Sequence, residues 1–307
     1  MTGRFLGLDI GGSKTHAVLA DPTGVRAEAV VGSANIASVG VREATRQLTA
    51  VLDGLGVDEL GATAVEAVCA GAAGADSPEQ RHQLTDLIAG LLPTARVQVV
   101  HDTQLLLAAA GLDDGIALIA GTGSVAWGIN PDGRSHRAGG WGYLLGDEGS
   151  GYGVARAAVR HVLDLADRAA APDTLTAALV AGCGLTGREH LLERFYANPE
   201  RRYWARQAGV VFELAVAGDP VAVRIVDEAA AALTALVRTV AGVLDRTGPV
   251  VCAGGLITHR PALLTRLRDT LAADGVTDVR LLDRDPVHGA VRIALRACEC
   301  SAVLEHG

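Results

Sequence analysis

Two stretches of the chain repeat one order of apolar runs and turns. In each, two apolar runs flank a glycine-rich turn, and a turn with Pro and Gly then leads to a third run. The predicted strands are Phe5–Ile10, Thr15–Ala20 and Val25–Val31 in the first stretch, and Ile116–Ala120, Val125–Asn130 and Arg134–Ala138 in the second. Short strands joined by such turns are typical of β-hairpins. The same order given twice predicts a duplicated domain.

The remaining pattern alternates helical and extended periods. Ser77 followed by Pro78 is a typical helix start, and Ser150 stands near the start of a long helical pattern. Helices are predicted at about 41–55, 78–92, 103–110, 149–167, 173–180, 187–195, 219–244, 261–273 and 287–296, and further strands at 65–70, 97–101, 249–253 and 279–282. This order predicts a mixed α/β protein with functional residues at strand ends.

The glycine-rich turns are candidates for binding phosphate. Asp9 precedes Gly11-Gly12-Ser13, and Lys14 and Thr15 follow. Glycines let backbone N–H groups point into one concavity, which suits phosphate oxygens, and Lys14 adds a positive charge. Asp9 is placed to hold a hydrated Mg²⁺ beside those phosphates. One such turn could equally be an ordinary polar hairpin, but the second turn, Gly121–Ser124, favours a nucleotide bound by both.

These motifs resemble those of a known superfamily. DIGGSKT at Asp9–Thr15, GTGS at Gly121–Ser124 and AGG at Ala253–Gly255 resemble the phosphate and adenosine motifs of the actin/hexokinase/Hsp70 ATPases. GGWGYLLGDEGSGY at Gly139–Tyr152 is more specific and resembles the N-acetylglucosamine kinases of the BadF/BadG/BcrA/BcrD group. The resemblance runs from about Phe5 to the last predicted helix.

The resemblance implies a two-domain, actin-like ATPase fold of duplicated ribonuclease H-like domains, with a cleft between them. The expected domains are residues 1–114, binding phosphate and sugar, and residues 115–307, helix-rich and binding nucleotide. The last helix, about 287–303, is expected to return to the first domain. ATP and Mg²⁺ are the expected cofactors, and a homodimer is the expected assembly.

The expected nucleotide contacts lie in the three glycine motifs. They are Gly11, Gly12, Ser13, Lys14, Thr15, Gly121, Thr122, Gly123, Ser124, Ala253, Gly254 and Gly255. The last three would let adenine and ribose lie against bare backbone, although AGG alone is a weak signal.

Asp102 is the predicted catalytic base. It stands at the end of a predicted strand, before a helix whose N-terminus supplies positive potential. The resembled kinases keep an aspartate there to accept the proton of the sugar 6-hydroxyl. Phosphoryl transfer needs mainly positioning and charge stabilisation, so one carboxylate with Mg²⁺ suffices. The alternative is that Asp102 only N-caps the helix at Thr103.

The expected sugar contacts are Asn35, Asp102, Thr122, Gly140, Trp141 and Asp147. Asn35 matches the family's hydroxyl-binding Asn, or it is a turn residue. Trp141, fenced by glycines, could wall a pyranose ring, or it is a buried hinge anchor. Asp147 matches the sugar-facing Asp of GDEGS, with Glu148 orienting it, or the two form a helix-cap cluster.

Composition narrows the functional classes. The 307 residues are 49% hydrophobic but only 3% aromatic, so the core must be built from Ala, Val and Leu. A net charge of -8 disfavours nucleic acid as a partner. No signal peptide or membrane-length apolar span is found, so no membrane partner is expected. Five scattered cysteines imply no disulfide framework, and a cytoplasmic location is the simplest expectation.

The function predicted on this basis is ATP-dependent phosphorylation of the 6-hydroxyl of N-acetylglucosamine or glucosamine. Animal N-acetylglucosamine kinases commonly carry an Asn after GTGS that can bond the acetamide, whereas this chain has Val125. Two other classes stay open. One is an ATPase activator of 2-hydroxyacyl-CoA dehydratases, which needs cysteines placed for an iron–sulfur cluster. The other is a non-catalytic sugar sensor.

Overall fold

The structure is a computed structural model that describes residues 3–57, 65–73, 75, 77–198, 200–246 and 248–304, with side chains as far as residue 298. The chain forms two compact units. Unit 1 comprises the described residues up to Asp113 together with those from Leu282 onward, and unit 2 is Asp114–Leu281.

Unit 1 is built on one mixed sheet. Its strands are β1 (Arg4–Ile10), β2 (Lys14–Asp21), β3 (Gly24–Gly32), β4 (Val65–Ala72) and β5 (Arg96–His101), and its helices are α1 (Ile36–Val39), α2 (Val41–Gly54), α3 (Pro78–Leu91), α4 (Asp102–Ala109) and α12 (Val287–Leu304). The strand order is β3-β2-β1-β4-β5. β1–β2 and β2–β3 are antiparallel, whereas β1–β4 and β4–β5 are parallel. The functional candidates Asp9 and His101–Asp102 therefore follow parallel strands to the same edge of this sheet.

α12 packs against unit 1 through bare backbone. A Cβ at Gly7 would lie 2.7 Å from the Val291 nitrogen and 2.8 Å from the Val287 oxygen. A Cβ at Gly289 would lie 2.7 Å from the nitrogen of Ala109 in α4. Only glycine permits these approaches, so both positions bring the last helix close to β1 and α4.

Unit 2 repeats the sheet of unit 1. Its strands are β6 (Gly115–Ala120), β7 (Ser124–Ile129), β8 (Ser135–Gly139), β9 (Val250–Ala253) and β10 (Val279–Leu281), in the order β10-β9-β6-β7-β8. β6–β7 and β7–β8 are antiparallel, while β6–β9 and β9–β10 are parallel. Order and orientation match those of unit 1 strand for strand, which confirms the predicted duplication.

The helices of unit 2 form its apolar core. They are α5 (Gly151–Asp167), α6 (Thr174–Gly182), α7 (Leu191–Ala197), α8 (Arg201–Val216), α9 (Pro220–Leu244), α10 (Gly255–His259) and α11 (Pro261–Ala273). Trp204 of α8 is fully buried in this core, against the ring of Phe195. The low aromatic content thus leaves one tightly packed aromatic cluster, and most other core positions are Ala, Val and Leu.

Several predicted boundaries need correction. The helix predicted at 187–195 is a 3₁₀ turn, Arg188–His190, followed by α7. α8 and the short helices α1 and α10 were not predicted. The helix predicted from residue 149 begins at Gly151, because the Ser150 side chain accepts a hydrogen bond from the Gly153 nitrogen and caps it. The Ser77 cap is confirmed, and it forms a complete capping box with Gln80.

No helix among the described residues is long and apolar enough to cross a membrane. Cys69, Cys183, Cys252 and Cys298 are free thiols, and the side chain of Cys300 lies outside the described part of the chain.

The docking of α12 gives a prediction about stability. Gly289→Ala should lower the free energy of unfolding by about 1–3 kcal/mol, because the added methyl group collides with backbone atoms of α4 that cannot move without disturbing their own helix. Gly90→Ala in α3 is the matched control, since nothing lies within 4 Å of its Cβ position. It should leave stability unchanged or raise it by up to about 1 kcal/mol. Urea unfolding of both variants gives the comparison, and equal stability would show that α12 does not pack in this way.

Candidate active site

The first glycine turn joins β1 to β2 in unit 1. Gly11 donates from its nitrogen to the Lys14 oxygen over 2.9 Å, and the Ser33 hydroxyl donates to the Gly11 oxygen over 2.8 Å. Gly12, Ser13 and Lys14 are exposed, and nothing lies within 4 Å of a Cβ at Gly12. Hydrogen bonds at Gly11 thus hold the base of the turn while the residues at its tip stay exposed to a ligand, as a phosphate-binding turn requires.

Thr15 has a role that differs from the predicted nucleotide contact. It is fully buried, and its hydroxyl accepts a hydrogen bond from the Ala34 nitrogen over 2.9 Å. A residue without exposed surface cannot touch a nucleotide unless the turn rearranges. Thr15 instead ties the glycine turn to the segment that carries Asn35.

Asp9 lies at the end of β1 in a group of carboxylates. Its pKa is raised to about 6, first by burial and then by the charge of Asp102, with Asp285 adding to the rise and His16 and Lys14 opposing it. Accumulated negative charge without enough compensating cation is the condition that a divalent ion relieves, and oxygen ligands suit Mg²⁺. The residues present therefore fit the metal role predicted for Asp9.

Asp102 is the first residue of α4, directly after β5. The helix cap is His101, whose Nδ1 accepts a hydrogen bond from the Thr103 nitrogen over 3.3 Å. The alternative that Asp102 caps a helix starting at Thr103 is therefore wrong, because the helix starts one residue earlier. This arrangement leaves the Asp102 carboxylate unused by the helix.

One oxygen of Asp102 is buried without a hydrogen bond. Oδ1 has no hydrogen-bond partner among the described residues. Nδ1 of His101 lies 2.9 Å from this oxygen, close enough for an ion pair when the imidazole is protonated. A buried acceptor without a hydrogen bond favours a ligand that brings a donor. The role of base for a substrate hydroxyl stays a prediction for Asp102.

Asn35 is held firmly by its own unit. Its Oδ1 accepts from the Ala37 nitrogen over 3.0 Å and caps α1, and its Nδ2 donates to the Ala73 oxygen over 2.6 Å. It also lines a cavity of about 120 Å³ together with Gln80 and Gln83. The structure therefore gives Asn35 the turn role that was the alternative, and its contact with sugar stays a prediction.

In unit 2, hydrogen bonds tie the second glycine turn to the loop between β8 and α5. Gly151 donates from its nitrogen to the Gly121 oxygen over 2.8 Å, and Gly140 donates to the Ser124 oxygen over 3.0 Å. The Ser124 hydroxyl donates to the Glu148 oxygen over 2.8 Å. Ser124 is buried and holds this loop, which differs from the predicted role of binding nucleotide.

Asp147 occupies the centre of that loop in a strained conformation. Its φ is +65°, which is rare for a residue with a side chain, and only 5% of its surface is exposed. Its Oδ1 accepts from the Ser124 nitrogen over 3.0 Å. A Cβ at Gly123 would lie 2.8 Å from the same oxygen, so glycine is required there. The predicted sugar ligand is thus fixed in place, with Oδ2 left for a further donor.

The rest of the loop departs from expectation in one respect. Glu148 pairs with Arg156 over 3.1 Å, and Arg156 also donates to the Tyr143 oxygen over 2.8 Å, which fits an orienting role. Trp141 is 64% exposed, with the Arg137 guanidinium 5.1 Å from its ring centre. The alternative of a buried hinge anchor is wrong because the side chain is exposed, and the flanking Gly140 and Gly142 both have positive φ.

A pocket of about 430 Å³ adjoins the second turn within unit 2. Gly121, Thr122 and Gly255 line it, which brings two of the predicted nucleotide motifs together. Gly254 packs a bare Cα against β6, since a Cβ would lie 2.6 Å from the Ala120 oxygen. Ala253 and Gly254 are not among the lining residues.

The other walls of this pocket were missed from sequence. α8, α10 and the residue after α10 contribute Arg202, Ala205, Arg206, Gly209, Leu256, His259 and Arg260. The spacing of Trp204, Ala208, Phe212 and Ala215 was the available signal, because apolar residues three or four apart predict a helix.

The sequence and the fold are both similar to those of known proteins. The sequence model of the BadF/BadG/BcrA/BcrD ATPase family matches residues 6–294. An N-acetylmuramic acid/N-acetylglucosamine kinase from Clostridium acetobutylicum is 34% identical over 306 residues, which cover 96% of this chain and 99% of that protein. An N-acetyl-D-glucosamine kinase from Dictyostelium discoideum is 30% identical over 314 residues, which cover 95% of this chain and 98% of that protein.

A similar solved structure is that of a proposed N-acetylglucosamine kinase from Chromobacterium violaceum. The two structures have a TM-score of 0.73 at 25% identity, covering 94% of this chain and 98% of that chain. The likeness confirms the predicted actin-like ATPase fold and the resemblance from which it was inferred.

The raised pKa of Asp9 gives a prediction with a definite sign. An unfolded Asp titrates near its usual value of 3.8, whereas folded Asp9 titrates near 6. As pH rises between these values the unfolded state loses the proton first, so stability falls, and above pH 6 the folded state bears the full cost of the charge. Asp9→Asn should therefore stabilise the ligand-free protein at pH 7.5 by about 1–3 kcal/mol.

Thermal unfolding at pH 7.5 and at pH 4.5 measures this effect. The gain should shrink at pH 4.5, because Asp9 of the folded wild-type protein is protonated there and the substitution removes no charge. Asp86→Asn, an exposed carboxylate in α3, serves as the control and should change little at both pH values. A destabilised Asp9→Asn protein at pH 7.5 would contradict the prediction.

Proposed function

Because this chain belongs to the BadF/BadG/BcrA/BcrD ATPase family, we propose that it transfers the γ-phosphoryl group of ATP to the 6-hydroxyl of an amino sugar, N-acetylglucosamine or glucosamine. The observation that carries the proposal is Oδ1 of Asp102 at the end of β5, which is buried without a hydrogen bond among the described residues. The names of the two relatives, both kinases of N-acetylglucosamine, support the class of substrate.

Asp102 accepts the proton of the sugar hydroxyl in this reaction. The hydroxyl oxygen forms a bond to the γ-phosphorus, the bond from that phosphorus to the bridging oxygen breaks, and ADP leaves. A carboxylate positioned at the hydroxyl contributes mainly by alignment and by removing the proton as the bond forms. The N-terminus of α4 adds positive potential at the same place.

The glycine turns bind the phosphates, and Asp9 would hold Mg²⁺. The exposed amides at the tip of the first turn and the side chain of Lys14 suit phosphate oxygens. A bound Mg²⁺ would supply neutralising charge for those oxygens. Asp147 offers Oδ2 to a hydroxyl or an amide N–H of the sugar, since Oδ1 is occupied by Ser124.

The positions of the cysteines do not support the alternative of an ATPase activator of 2-hydroxyacyl-CoA dehydratases. Cys252 is fully buried in β9, and burial raises its pKa to about 12. Burial likewise raises the pKa of Cys183. Both thiols are packed in the apolar core of unit 2, so neither lies on a surface where a cluster shared between subunits could be held.

A panel of sugars tests the proposed function and its specificity. ADP release and sugar phosphate should appear with N-acetylglucosamine and glucosamine and should be weak with glucose. Val125 offers neither donor nor acceptor to the acetamide, so discrimination against glucosamine should be weaker by about 1–3 kcal/mol than with a hydrogen-bonding residue there. Val125→Asn should shift kcat/KM toward N-acetylglucosamine. Glucosamine left inert by the wild-type protein would show that Val125 does not set specificity, and inertness of all three sugars would refute the function.

The role of Asp102 is tested by Asp102→Asn. The variant should fold and bind nucleotide normally, but kcat should fall by about two to four powers of ten, the usual scale for a general base. Asp86→Asn is the matched control and should leave kcat unchanged. Steady-state kinetics with N-acetylglucosamine decide the matter, and turnover within a few-fold of wild type would remove Asp102 from the mechanism.

A further inference from the structure

Three side chains of the metal-binding type meet on one face of the unit 1 sheet. His16 of β2 is 4% exposed, and its Nε2 lies 2.6 Å from Oε1 of Glu28 in β3. Its Nδ1 lies 3.9 Å from Oδ2 of Asp285, in the segment before α12. Each of the three offers one ligand atom, and these atoms all lie within 4.8 Å of one another. It is the one such group of three in the described part of the chain.

The pairing of the strands sets the positions of His16 and Glu28. His16 pairs with Val30 of β3, and Glu28 stands two residues before Val30, so both side chains lie on the same face of the sheet. Diagonal neighbours on one face of an antiparallel pair are within reach of long side chains. β2 also pairs with β1 on its other side, so the backbone that carries the imidazole is held on both edges.

The packing of α12 brings Asp285 to the same face. Val287 of α12 is fully buried in one cluster with Val18 of β2. Val18 stands two residues after His16, so the two share a face of the strand. The Asp285 oxygen accepts a hydrogen bond from the His288 nitrogen over 3.1 Å, which makes the aspartate part of the helix start. α12 therefore begins beside the imidazole.

The group carries more negative than positive charge. Two carboxylates face one imidazole, and a proton on the ring offsets only one of them. Asp285 also contributes to the raised pKa of Asp9, which pairs with His16 across β1 and β2. A divalent ion bound to the ring in place of that proton offsets both carboxylates.

The ligand types favour Zn²⁺ over Mg²⁺. Imidazole nitrogen is a good ligand for Zn²⁺, whereas Mg²⁺ prefers oxygen ligands in octahedral geometry. A Zn²⁺ ion with ligands at about 2.0–2.2 Å holds their atoms roughly 3–3.5 Å apart. The side chains of Glu28 and Asp285 are 52% and 66% exposed, so both are free to close the remaining distance by rotation. Water takes the fourth position.

We propose that His16, Glu28 and Asp285 bind one Zn²⁺ ion, which fastens the start of α12 to β2 and β3. Each of the three segments supplies one ligand, so undocking of the helix start would remove one of them. The site is separate from the predicted Mg²⁺ ligand Asp9, which is not a member of the group. It does not depend on the proposed phosphoryl transfer, and its tests measure no turnover.

Calorimetric titration of the metal-free protein at pH 7.5 tests the binding. Zn²⁺ should bind with a dissociation constant of about 10 μM or below. Glu28→Gln and Asp285→Asn should each weaken this binding at least tenfold, and both should fold because the carboxylates are exposed. A wild-type dissociation constant above about 100 μM, or unchanged binding by Glu28→Gln, would overturn the proposal.

The matched control is His82→Ala. His82 in α3 is an exposed histidine whose Nε2 lies 3.4 Å from a carboxylate oxygen of Asp86, but this pair belongs to no group of three in the described part of the chain. The variant should bind Zn²⁺ as the wild type does. Loss of the binding in His82→Ala would move the site to α3 and refute the assignment.

Absorption spectroscopy with one equivalent of Co²⁺ identifies the ligand atoms. The partly exposed thiol of Cys298 is the competing ligand, since thiolates bind such ions well. Nitrogen and carboxylate ligands give only weak d–d bands, whereas a thiolate adds an intense charge-transfer band in the near ultraviolet. The wild type should show the weak bands alone, and they should fade in Glu28→Gln. A thiolate band would overturn the proposal.

Hydrogen exchange tests the fastening of α12. Saturating Zn²⁺ should slow the exchange of backbone amides in residues 287–291 at least fivefold in the wild type and in His82→Ala, but not in Glu28→Gln. The reason is that the ion binds the docked helix start and must lose a ligand before that start opens. Zn²⁺ binding without slower exchange at these amides would refute the fastening.

Discussion

The hydrogen bond from the Ser124 nitrogen to the Asp147 carboxylate holds the second glycine turn to the loop before α5. It fixes a residue at positive φ, a conformation that costs free energy wherever a side chain is present. Gly123 makes room for the carboxylate, and the Ser124 hydroxyl secures the next peptide at Glu148. The glycine turn and the loop before α5 are thus one rigid piece. Neither could be exchanged for an ordinary turn without releasing Asp147.

The duplicated sheet is used differently in the two units. In unit 1 the strand ends carry charge, with Asp9 one residue before the end of β1 and Asp102 after β5, and their mutual repulsion contributes to the raised pKa of Asp9. In unit 2 the strand equivalent to β1 is β6, which is followed by Gly121, and the charged side chains near the pocket are the arginines of α8, His259 and Arg260. One architecture therefore carries an acidic group of strand ends in unit 1 and a cationic pocket in unit 2.

Much of the secondary structure could be predicted from sequence patterns within a few residues. Both hairpins, the helix start at Ser77 and the helix near Ser150 follow from patterns within a few residues, and these predictions are confirmed. Contacts between residues far apart in the chain could not be predicted from the sequence. The burial of Thr15 depends on Ala34, and the burial of Ser124 depends on a loop more than twenty residues away. The cap of α4 is His101 and not Asp102. The sequence did not indicate this, because Asp is a frequent N-cap residue and His is an uncommon one. α8 was overlooked although its apolar spacing is regular.

The position of α12 bears on how the chain is made. Gly7 of β1 precedes unit 2 in the chain, and the helix that covers it, which contains Val287 and Val291, follows unit 2. During translation, unit 2 can complete its own core while β1 still lacks its cover. The sheet that carries Asp9 and the helix that begins at Asp102 therefore gain the packing of α12 only after all of unit 2 has been synthesised. A chain that ended before α12 would keep the pocket of unit 2 but lack the helix that packs against β1 and α4.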